Sequence, residues 1–279
     1  EGGPPPIDWQ AGTVVSNANV GRGARLLTVR AAAPLAYLPG HVLGLEIEHP
    51  ETKDPLKGPY TVTRCVDDLF DVLYRVIPDG RKTPFMERLA PGDACRFGGR
   101  FGTPIAEGID AKCDRVVGVA TGTGIGPLLG FAEQALEAPG GPNIEFFVGL
   151  RDLADAACVP ELDALAADSR FSWSACVSRP SPCTAIAAAP LAAPRYSGRV
   201  TSAVPGILGS VASTHFHLVG NGAFVKEFKA GLIAGGVSEA RVTTEVYFNG
   251  KAEPDPDVVA FVSDQLRSEP QTRARAPPR

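Results

Sequence analysis

The chain has 279 residues, 44% of them hydrophobic, and its 27 basic and 31 acidic side chains give a net charge of −4. This composition excludes wholesale disorder and a fibrous repeat, and the mild acidity argues against general binding to nucleic acid or to an anionic membrane. A length of roughly 150 residues per domain predicts about two domains. Because no run of about 18 apolar residues occurs, no membrane-spanning helix is expected.

The first part of the chain, up to about Gly108, consists of short apolar runs separated by turn sequences such as Pro39-Gly40 and Pro91-Gly92-Asp93. Six short strands joined by such turns predict a small antiparallel barrel or sandwich, which we assign to residues 1–110. The predicted strands are Thr13 to Val15, Leu26 to Val29, Val42 to Ile47, Tyr60 to Arg64, Val72 to Ile77 and Ala94 to Phe97.

After Cys113 the pattern changes to strands that alternate with helices. Such alternation predicts a doubly wound parallel sheet covered by helices on both faces, which we assign to residues 111–250. The predicted strands are Arg115 to Ala120, Ile144 to Leu150, Phe171 to Val177, His215 to Val219 and Val242 to Phe248, and the predicted helices are Ile125 to Leu136 and Ala223 to Ala234.

Residues 251–279 form a predicted C-terminal extension. Asp255 to Leu266 has the spacing of one more helix. Ser268 to Arg279 is rich in arginine and proline and has no core-forming residue, so we expect a mobile tail unless a partner surface holds it.

Cysteine and histidine usage gives no sign of a metal centre. The six cysteines include no C-x-x-C pair and have no histidine at metal-ligand spacing, so no metal site is predicted. We expect the cysteines to be mostly buried thiols in a reducing compartment and the four histidines to be structural. The cysteines are Cys65, Cys95, Cys113, Cys158, Cys176 and Cys183, and the histidines are His41, His49, His215 and His217.

The segment Thr121-Gly122-Thr123-Gly124-Ile125-Gly126-Pro127 lies between a predicted strand and a predicted helix. Backbone N–H groups and the helix dipole at such a turn face the crevice beyond the strand, which suits a pyrophosphate. Taken alone, the turn is consistent with nucleotide binding or with a simple tight connection.

Several segments, in their order along the chain, resemble the ferredoxin–NADP(H) reductase family, particularly its bacterial type. The glycine turn is similar to that family's nicotinamide-nucleotide turn, and Pro78 to Pro84 followed by Leu89 to Asp93 is similar to its second flavin segment. The resemblance covers roughly Ala11 to Asn249 and implies a flavin-binding antiparallel β-barrel followed by an NADP-binding α/β domain. Further matching blocks are Val177-Ser178-Arg179, Gly198-Arg199-Val200, Val219-Gly220-Asn221 and Thr243 to Tyr247.

The implied flavin is FAD, bound beside Gly58-Pro59-Tyr60-Thr61, where the family has Arg-x-Tyr-Ser/Thr. The resemblance implies that Tyr60 packs on the isoalloxazine ring and that Thr61, as a catalytic residue, hydrogen-bonds flavin N5. Gly58 stands where the family has the arginine that pairs with the flavin pyrophosphate, so that bidentate contact is missing. Candidate substitutes are Arg64, Arg75 and Arg81. Further implied flavin-binding residues are Tyr74, Arg75 and Thr83. Ordinary β-strand residues are the alternative for Tyr60 and Thr61.

The second implied cofactor is NADP(H) rather than NADH. A dianionic 2′-phosphate favours converging guanidinium groups, whereas NADH favours an acidic residue at its ribose hydroxyls. The residues implied at the 2′-phosphate are Arg151, Ser178, Arg179 and Arg199, and those implied at the rest of the nucleotide are Thr121, Gly122, Thr123, Gly124, Ile125, Gly126, Pro127, Gly220 and Asn221.

The closing strand carries the last implied site residues. The family keeps a carboxylate near the nicotinamide, which implies a catalytic role for Glu245. Tyr247 or Phe248 would cover the flavin face opposite Tyr60, unless both aromatics are core residues. Val219 stands where many relatives have a cysteine beside the reacting carbon, so that thiol contact is not made.

The predicted function is an oxidoreductase that passes electrons between NADP(H) and a one-electron carrier such as ferredoxin or flavodoxin. A basic patch on the barrel would dock an acidic carrier, although a solvated surface is the alternative. The patch comprises Lys53, Lys57, Arg81, Lys82, Arg88, Arg96 and Arg100.

Two alternatives follow from Gly58 and Val219. One is a reductase-like subunit with weakened or lost catalysis in a larger assembly, which would contact the C-terminal tail. The other is an NADPH-binding sensor without FAD. The expected compartment is the chloroplast stroma, with the cytoplasm as the alternative.

Overall fold

The computed structural model describes residues 7–180 and 192–268. It divides into two compact units, one formed by Glu1–Glu107 with Gly126–Phe131 and the other by Gly108–Ile125 with Ala132–Arg279. Cys183 and the predicted arginine-rich tail beyond Ser268 lie outside the described residues.

The first unit contains a closed antiparallel barrel. Its strands are β1 (Trp9–Gly21), β2 (Ala24–Ala31), β3 (Val42–Glu48), β4 (Pro55–Val66), β5 (Leu69–Arg75) and β6 (Ala94–Phe101). They follow the order β1-β2-β5-β4-β3-β6 around the barrel. All six predicted strands are confirmed. The barrel closes because β1 pairs with β2 on one side and with β6 on the other, so the structure decides between the predicted barrel and sandwich.

The barrel interior is filled by apolar side chains that alternate along the strands. Phe70 and Phe97 contact each other at its centre, with ring centroids 4.8 Å apart. Burial of each such side chain contributes about 1.5–3 kcal/mol. A short helix, α1 (Thr83–Met86), follows β5 and buries Met86 in this core, and a second, α2 (Ile105–Gly108), follows β6. Other core residues are Val14, Leu27, Val29, Leu43, Leu45, Val62 and Val72.

The second unit contains a parallel sheet. Its strands are β7 (Arg115–Thr121), β8 (Asn143–Leu150), β9 (Phe171–Val177), β10 (Arg195–Ser197), β11 (Thr214–Asn221) and β12 (Val242–Phe248). They lie in the order β10-β9-β8-β7-β11-β12 and every pairing is parallel. The chain moves outward from β7 to β10 and then returns to the other side of β7, which confirms the predicted doubly wound sheet. The order reverses between β7 and β11, where such sheets bind ligands. Strand β10 was not predicted from the sequence, because three residues are too few to show an alternation of apolar and polar side chains.

Helices connect these strands. They are α3 (Ile125–Glu137), α4 (Val159–Leu165), α5 (Val200–Ala203), α6 (Gly222–Ala234) and α7 (Pro256–Arg267). The predicted helices are confirmed to within a residue or two at each end, whereas the short α4 and α5 were not predicted.

The C-terminal helix α7 belongs to the second unit and packs against α6. A Cβ added to Gly231 of α6 would approach the Cβ of Val262 to 2.5 Å, so glycine is needed for this close contact. Asp255 caps α7 by accepting a hydrogen bond from the backbone N–H of Asp257 at 2.9 Å. Within residues 7–180 and 192–268, no helix is both long and apolar enough to cross a membrane.

Candidate functional site

Strand β4 carries the predicted flavin-contacting pair. Tyr60 and Thr61 pair with Leu43 and Val42 of β3. Tyr60 is half-buried, and its hydroxyl contacts the sulfur of Met86 at 2.9 Å. Burial raises the pKa of Tyr60 above its ordinary value, so the phenol stays protonated at neutral pH. The tyrosine is therefore a fixed, neutral aromatic surface at the barrel wall.

The second flavin segment folds into a tight turn followed by α1. The backbone N–H of Gly80 donates to the carbonyl of Ile77 at 2.8 Å, and the Thr83 hydroxyl accepts from the N–H of Ile77 at 2.9 Å. Arg81 lies exposed in this turn. Ile77 therefore holds both the turn, through Gly80, and the Thr83 side chain at the start of α1.

Two other predicted flavin-binding residues lie at the end of β5. Tyr74 is buried, and its hydroxyl contacts the side-chain oxygen of Asn17 at 3.0 Å. Burial raises the pKa of Tyr74 to about 12. Arg75, the next residue, is exposed. The third candidate substitute for the missing arginine, Arg64, pairs with Asp71 at 3.4 Å.

Lys82 does not lie on the surface, which corrects its assignment to the basic patch. Its side chain is 8% exposed, and its ammonium group donates a hydrogen bond to the carbonyl of Leu45. The Nζ atom also lies 4.6 Å from the ring centroid of Tyr60, a cation–π distance. A Cβ built on Gly58 would lie 3.8 Å from the same Nζ. The Lys82 amine therefore lies next to the position where the flavin motif has its arginine.

The remaining basic residues of the patch are partly neutralised. Glu46 pairs with Lys57 at 3.1 Å and with Arg96 at 3.0 Å, and Glu48 pairs with Lys53 at 3.0 Å. The structure therefore divides the predicted patch into paired surface charges, exposed arginines and one buried amine. The exposed arginines are Arg81, Arg88 and Arg100.

A cleft opens between the beginning of β4 and residues 81–82 of the second flavin segment. It has a volume of about 200 Å³ and is lined by Pro55, Leu56, Lys57, Arg81 and Lys82. Three of these five residues are cationic, so the cleft presents positive charge to an anionic group. The residues present fit the diphosphate of FAD in this respect, even though Gly58 offers no side chain.

In the second unit, the glycine turn lies at the point where the strand order reverses. Gly122–Gly124 forms a single 3₁₀ turn between β7 and α3. The backbone N–H of Asn221, at the end of β11, donates to the Thr121 hydroxyl at 3.1 Å. A Cβ on Gly124 would lie 2.7 Å from the Val219 carbonyl oxygen, so only glycine permits this approach. The structure thus brings the two predicted nucleotide turns together.

Residues predicted at the 2′-phosphate follow neighbouring strands of the sheet. Arg151 follows β8, Ser178 and Arg179 follow β9, and Arg199 follows β10. The backbone N–H of Arg179 donates to the Arg151 carbonyl at 2.7 Å, which holds the two segments side by side. Because the carboxyl ends of parallel strands share one edge, these four residues lie at the edge that carries the glycine turn.

Strand β12 carries the other predicted site residues. Glu245 lies opposite Val219 of β11 in the parallel register. Tyr247 is half-buried, whereas Phe248 is 58% exposed. Phe248 is therefore not a core residue of the second unit, which removes that alternative for it.

The buried histidines of this unit form a structural cluster. His215 Nε2 and His217 Nδ1 both contact the Thr243 hydroxyl, at 2.9 and 2.8 Å. Burial lowers the pKa of His217 to about 3, so the ring is neutral at physiological pH. Within the described parts of the chain, no group of three or more His, Cys, Asp or Glu side chains could hold a metal ion. The five cysteines described are free thiols, of which Cys95, Cys158 and Cys176 are buried.

Comparison with known proteins gives the following similarities. The family model for the oxidoreductase NAD-binding domain matches residues 119–187. No curated protein sequence matches the chain significantly. The chain is similar to cytochrome P450 reductase GcoB from Amycolatopsis, with a TM-score of 0.71, 22% identity, and coverage of 86% of this chain and 70% of that chain.

Two further solved structures match almost their whole length. One is a ferredoxin NADP+ reductase from Neisseria gonorrhoeae with bound FAD and NADP, with a TM-score of 0.70, 18% identity, and coverage of 86% of this chain and 99% of that chain. The other is the flavohem-like FAD/NAD binding domain of a nitric oxide dioxygenase from Vibrio cholerae, with a TM-score of 0.71, 16% identity, and coverage of 85% and 98%. At identities this low, the structural likeness establishes a shared fold alone. The matched model identifies an oxidoreductase NAD-binding domain over residues 119–187, and the barrel followed by a parallel sheet is the fold that the chain shares with these reductases.

Lys82 was predicted as part of the basic surface patch and not as a flavin-binding residue. The glycine at position 58 predicts a substitute cation, for which the sequence offered Arg64, Arg75 and Arg81. Nothing in the sequence distinguishes Lys82 as a buried cation, because a lysine in a turn is usually a solvated surface residue.

Proposed function

We propose that the protein is an FAD-dependent oxidoreductase that transfers electrons between NADP(H) and a one-electron carrier such as ferredoxin or flavodoxin. The observation that carries this proposal is the grouping of Arg151, Ser178, Arg179 and Arg199 at the sheet edge that also holds the glycine turn. Similar structures that contain FAD and NADP support it.

The residues of the second unit suit NADPH. The N–H groups of the glycine turn and the start of α3 would bind the pyrophosphate. The side chains of Arg151, Arg179 and Arg199 would bind the 2′-phosphate, because guanidinium groups form paired hydrogen bonds to a dianion. No acidic side chain occupies these four positions to prefer the ribose hydroxyls of NADH.

The residues of the first unit suit a flavin. Tyr60 would present its ring to the isoalloxazine, Thr61 would offer a hydroxyl to N5, and the cationic cleft would hold the diphosphate. When bound, FAD supplies the ability to accept two electrons together and to release them singly. The chain's own part is to bind, orient and shield this group, and Glu245 is the proposed polar contributor beside the nicotinamide.

The first experiment is the visible absorption spectrum of the purified protein, followed by anaerobic titration with NADPH. Flavin absorption that bleaches on NADPH addition supports the proposal. A colourless protein that also takes up no added FAD would refute it and favour the second candidate, a reductase-like subunit without catalysis. The observations behind that candidate are Gly58 and the fully buried Val219. An increase in melting temperature with NADPH but not with FAD would instead indicate an NADPH sensor.

Cofactor preference is tested with Arg151→Gln and Arg179→Gln. Each should raise the Kd for NADPH roughly tenfold and leave the Kd for NADH unchanged, since only NADPH carries the 2′-phosphate. Arg195→Gln, on the exposed side of β10, is the matched control. Equal effects on both nucleotides would show that these arginines do not read the 2′-phosphate.

The proposals for the electron acceptor and for the cellular compartment are based on the sequence resemblance. We propose an acidic one-electron carrier as partner and the chloroplast stroma as location, with the cytoplasm as the alternative. Reduction of added ferredoxin or flavodoxin by NADPH, compared with reduction of a basic cytochrome, tests the first of these.

A further inference from the structure

The position of Lys82 is unusual for a lysine side chain. It is 8% exposed, and its amine donates a hydrogen bond to the backbone of β3 at Leu45. Moving an ammonium group out of water is costly unless other groups compensate for the lost hydration. Its neighbouring carboxylate, Glu46, is already paired with Lys57 and Arg96. Lys82 is held instead by the Leu45 carbonyl and the Tyr60 ring.

The Lys82 amine lies next to Gly58. Gly58 and Leu45 are paired across β4 and β3. A Cβ on Gly58 would lie 3.8 Å from Lys82 Nζ and 3.9 Å from Lys82 Cδ. Both distances are ordinary van der Waals contacts, so the lysine does not depend on glycine at this position. The amine is adjacent to the position where the arginine of the flavin motif would begin.

Lys82 also borders the cleft of about 200 Å³ that Lys57 and Arg81 line. Lys57 shares its charge with Glu46, and Arg81 is exposed to solvent, so both are partly screened. The amine of Lys82 is shielded from water and acts at a lower effective dielectric. When it is protonated, the Lys82 amine is therefore the cation whose interaction with an anion in the cleft would be strongest.

We propose that Lys82 supplies, from the second flavin segment, the positive charge that Gly58 does not provide, and that it contacts the diphosphate of FAD. This inference rests on the proposed function, because it assumes that the barrel binds FAD. A lysine offers one compact charge where an arginine offers a bidentate fork. FAD binding by this chain should therefore depend strongly on a single amine.

The test is the Kd for FAD, measured by flavin fluorescence as FAD is added to the full-length, FAD-free protein. Lys82→Met should raise this Kd by roughly 10- to 100-fold, the loss expected for a charge-assisted hydrogen bond. The double variant Gly58→Arg with Lys82→Met should return the Kd to within about threefold of wild type, because an arginine at position 58 then supplies the missing positive charge beside the cleft. Lys53→Met, a paired and exposed lysine, is the control and should leave the Kd unchanged.

The outcomes separate this inference from the proposed function. If the wild type binds FAD and Lys82→Met binds it equally well, Lys82 does not contact the diphosphate, whereas the flavoprotein assignment stands. If Lys82→Met weakens binding but the double variant does not recover it, the lost property is not the charge, and the inference is overturned. If the wild type binds no added FAD, both are overturned. Melting curves of the FAD-free variants show that each folds.

Discussion

Burial of the Lys82 amine should lower the stability of the FAD-free protein, and Lys82→Met should recover that stability. Methionine has a similar length and carries no charge, so it fills the same space without the cost of desolvation. Burial lowers the pKa of Lys82 from 10.5 to about 7. The folded state therefore binds the proton more weakly than the unfolded chain does.

The expected gain in the free energy of unfolding follows from the change in the Lys82 pKa between the unfolded and the folded state. A fall in pKa from 10.5 to about 7 corresponds to at most on the order of 5 kcal/mol, at about 1.4 kcal/mol per pH unit. Methionine also loses the hydrogen bond to the Leu45 carbonyl, worth about 1 kcal/mol. A net gain of about 2–4 kcal/mol in the free energy of unfolding is expected at pH 6, where Lys82 is charged in both states.

The difference in unfolding free energy between Lys82→Met and wild type should depend on pH. Between pH 7 and about 10.5 the folded state releases the proton while the unfolded chain retains it, so wild-type stability rises relative to the variant. The advantage of Lys82→Met should therefore be largest below pH 7 and should shrink as the pH rises through this window. Titrations common to both proteins cancel in the difference.

The assay is urea unfolding of FAD-free wild type, Lys82→Met and the control Lys53→Met at pH 6 and pH 9. The control should stay within about 0.5 kcal/mol of wild type at both pH values, since its side chain is 67% exposed. A variant that is less stable than wild type at pH 6, or an advantage that does not change with pH, would refute the reasoning. Together with weaker FAD binding, the expected result would make Lys82 a residue that trades stability for function.

Two further predictions concern the second unit. Gly220 has φ +137°, and a Cβ there would lie 2.1 Å from the Thr121 hydroxyl oxygen, so Gly220→Ala should destabilise the protein by about 2 kcal/mol or more. Thermal unfolding measures the loss of stability, with Gly140→Ala as the control. Gly140 also has positive φ but has open space around it, so its substitution should cost only about 1 kcal/mol. Equal losses of stability in the two variants would contradict the steric argument. The second prediction is acid sensitivity. Because burial holds the pKa of His217 at about 3, below the ordinary 6.5, stability should fall as the pH drops from 6.5 towards 3, by about 1.4 kcal/mol per pH unit for this group. Unfolding of wild type and His217→Gln across this range measures it, and parallel pH curves would show that another group is responsible.

Much of the fold follows from local pattern. The apolar alternation of the first part and the strand, glycine turn and helix sequence after Cys113 determine the barrel strands and the parallel sheet, because side-chain periodicity reflects secondary structure directly. The position of the turn Thr121 to Pro127 between a strand and a helix was also predicted from the sequence, since glycines at such a junction have a specific backbone role. The grouping of Arg151 with Arg179 follows from topology, as parallel strands end at one edge.

Tertiary structure alone determines what depends on distant residues. Closure of the barrel needs β1 to pair with β6 across most of the first unit, which no local pattern records. Only the fold brings the Lys82 amine next to Gly58, which lies on β4 and 24 positions earlier in the chain. A lysine in a turn sequence looks like a surface residue, and only packing against Leu45 and Tyr60 makes it a buried cation. The sequence by itself therefore determines the framework and the positions of the predicted nucleotide turns, whereas the electrostatics of the cationic cleft arise from contacts that exist only in the folded chain.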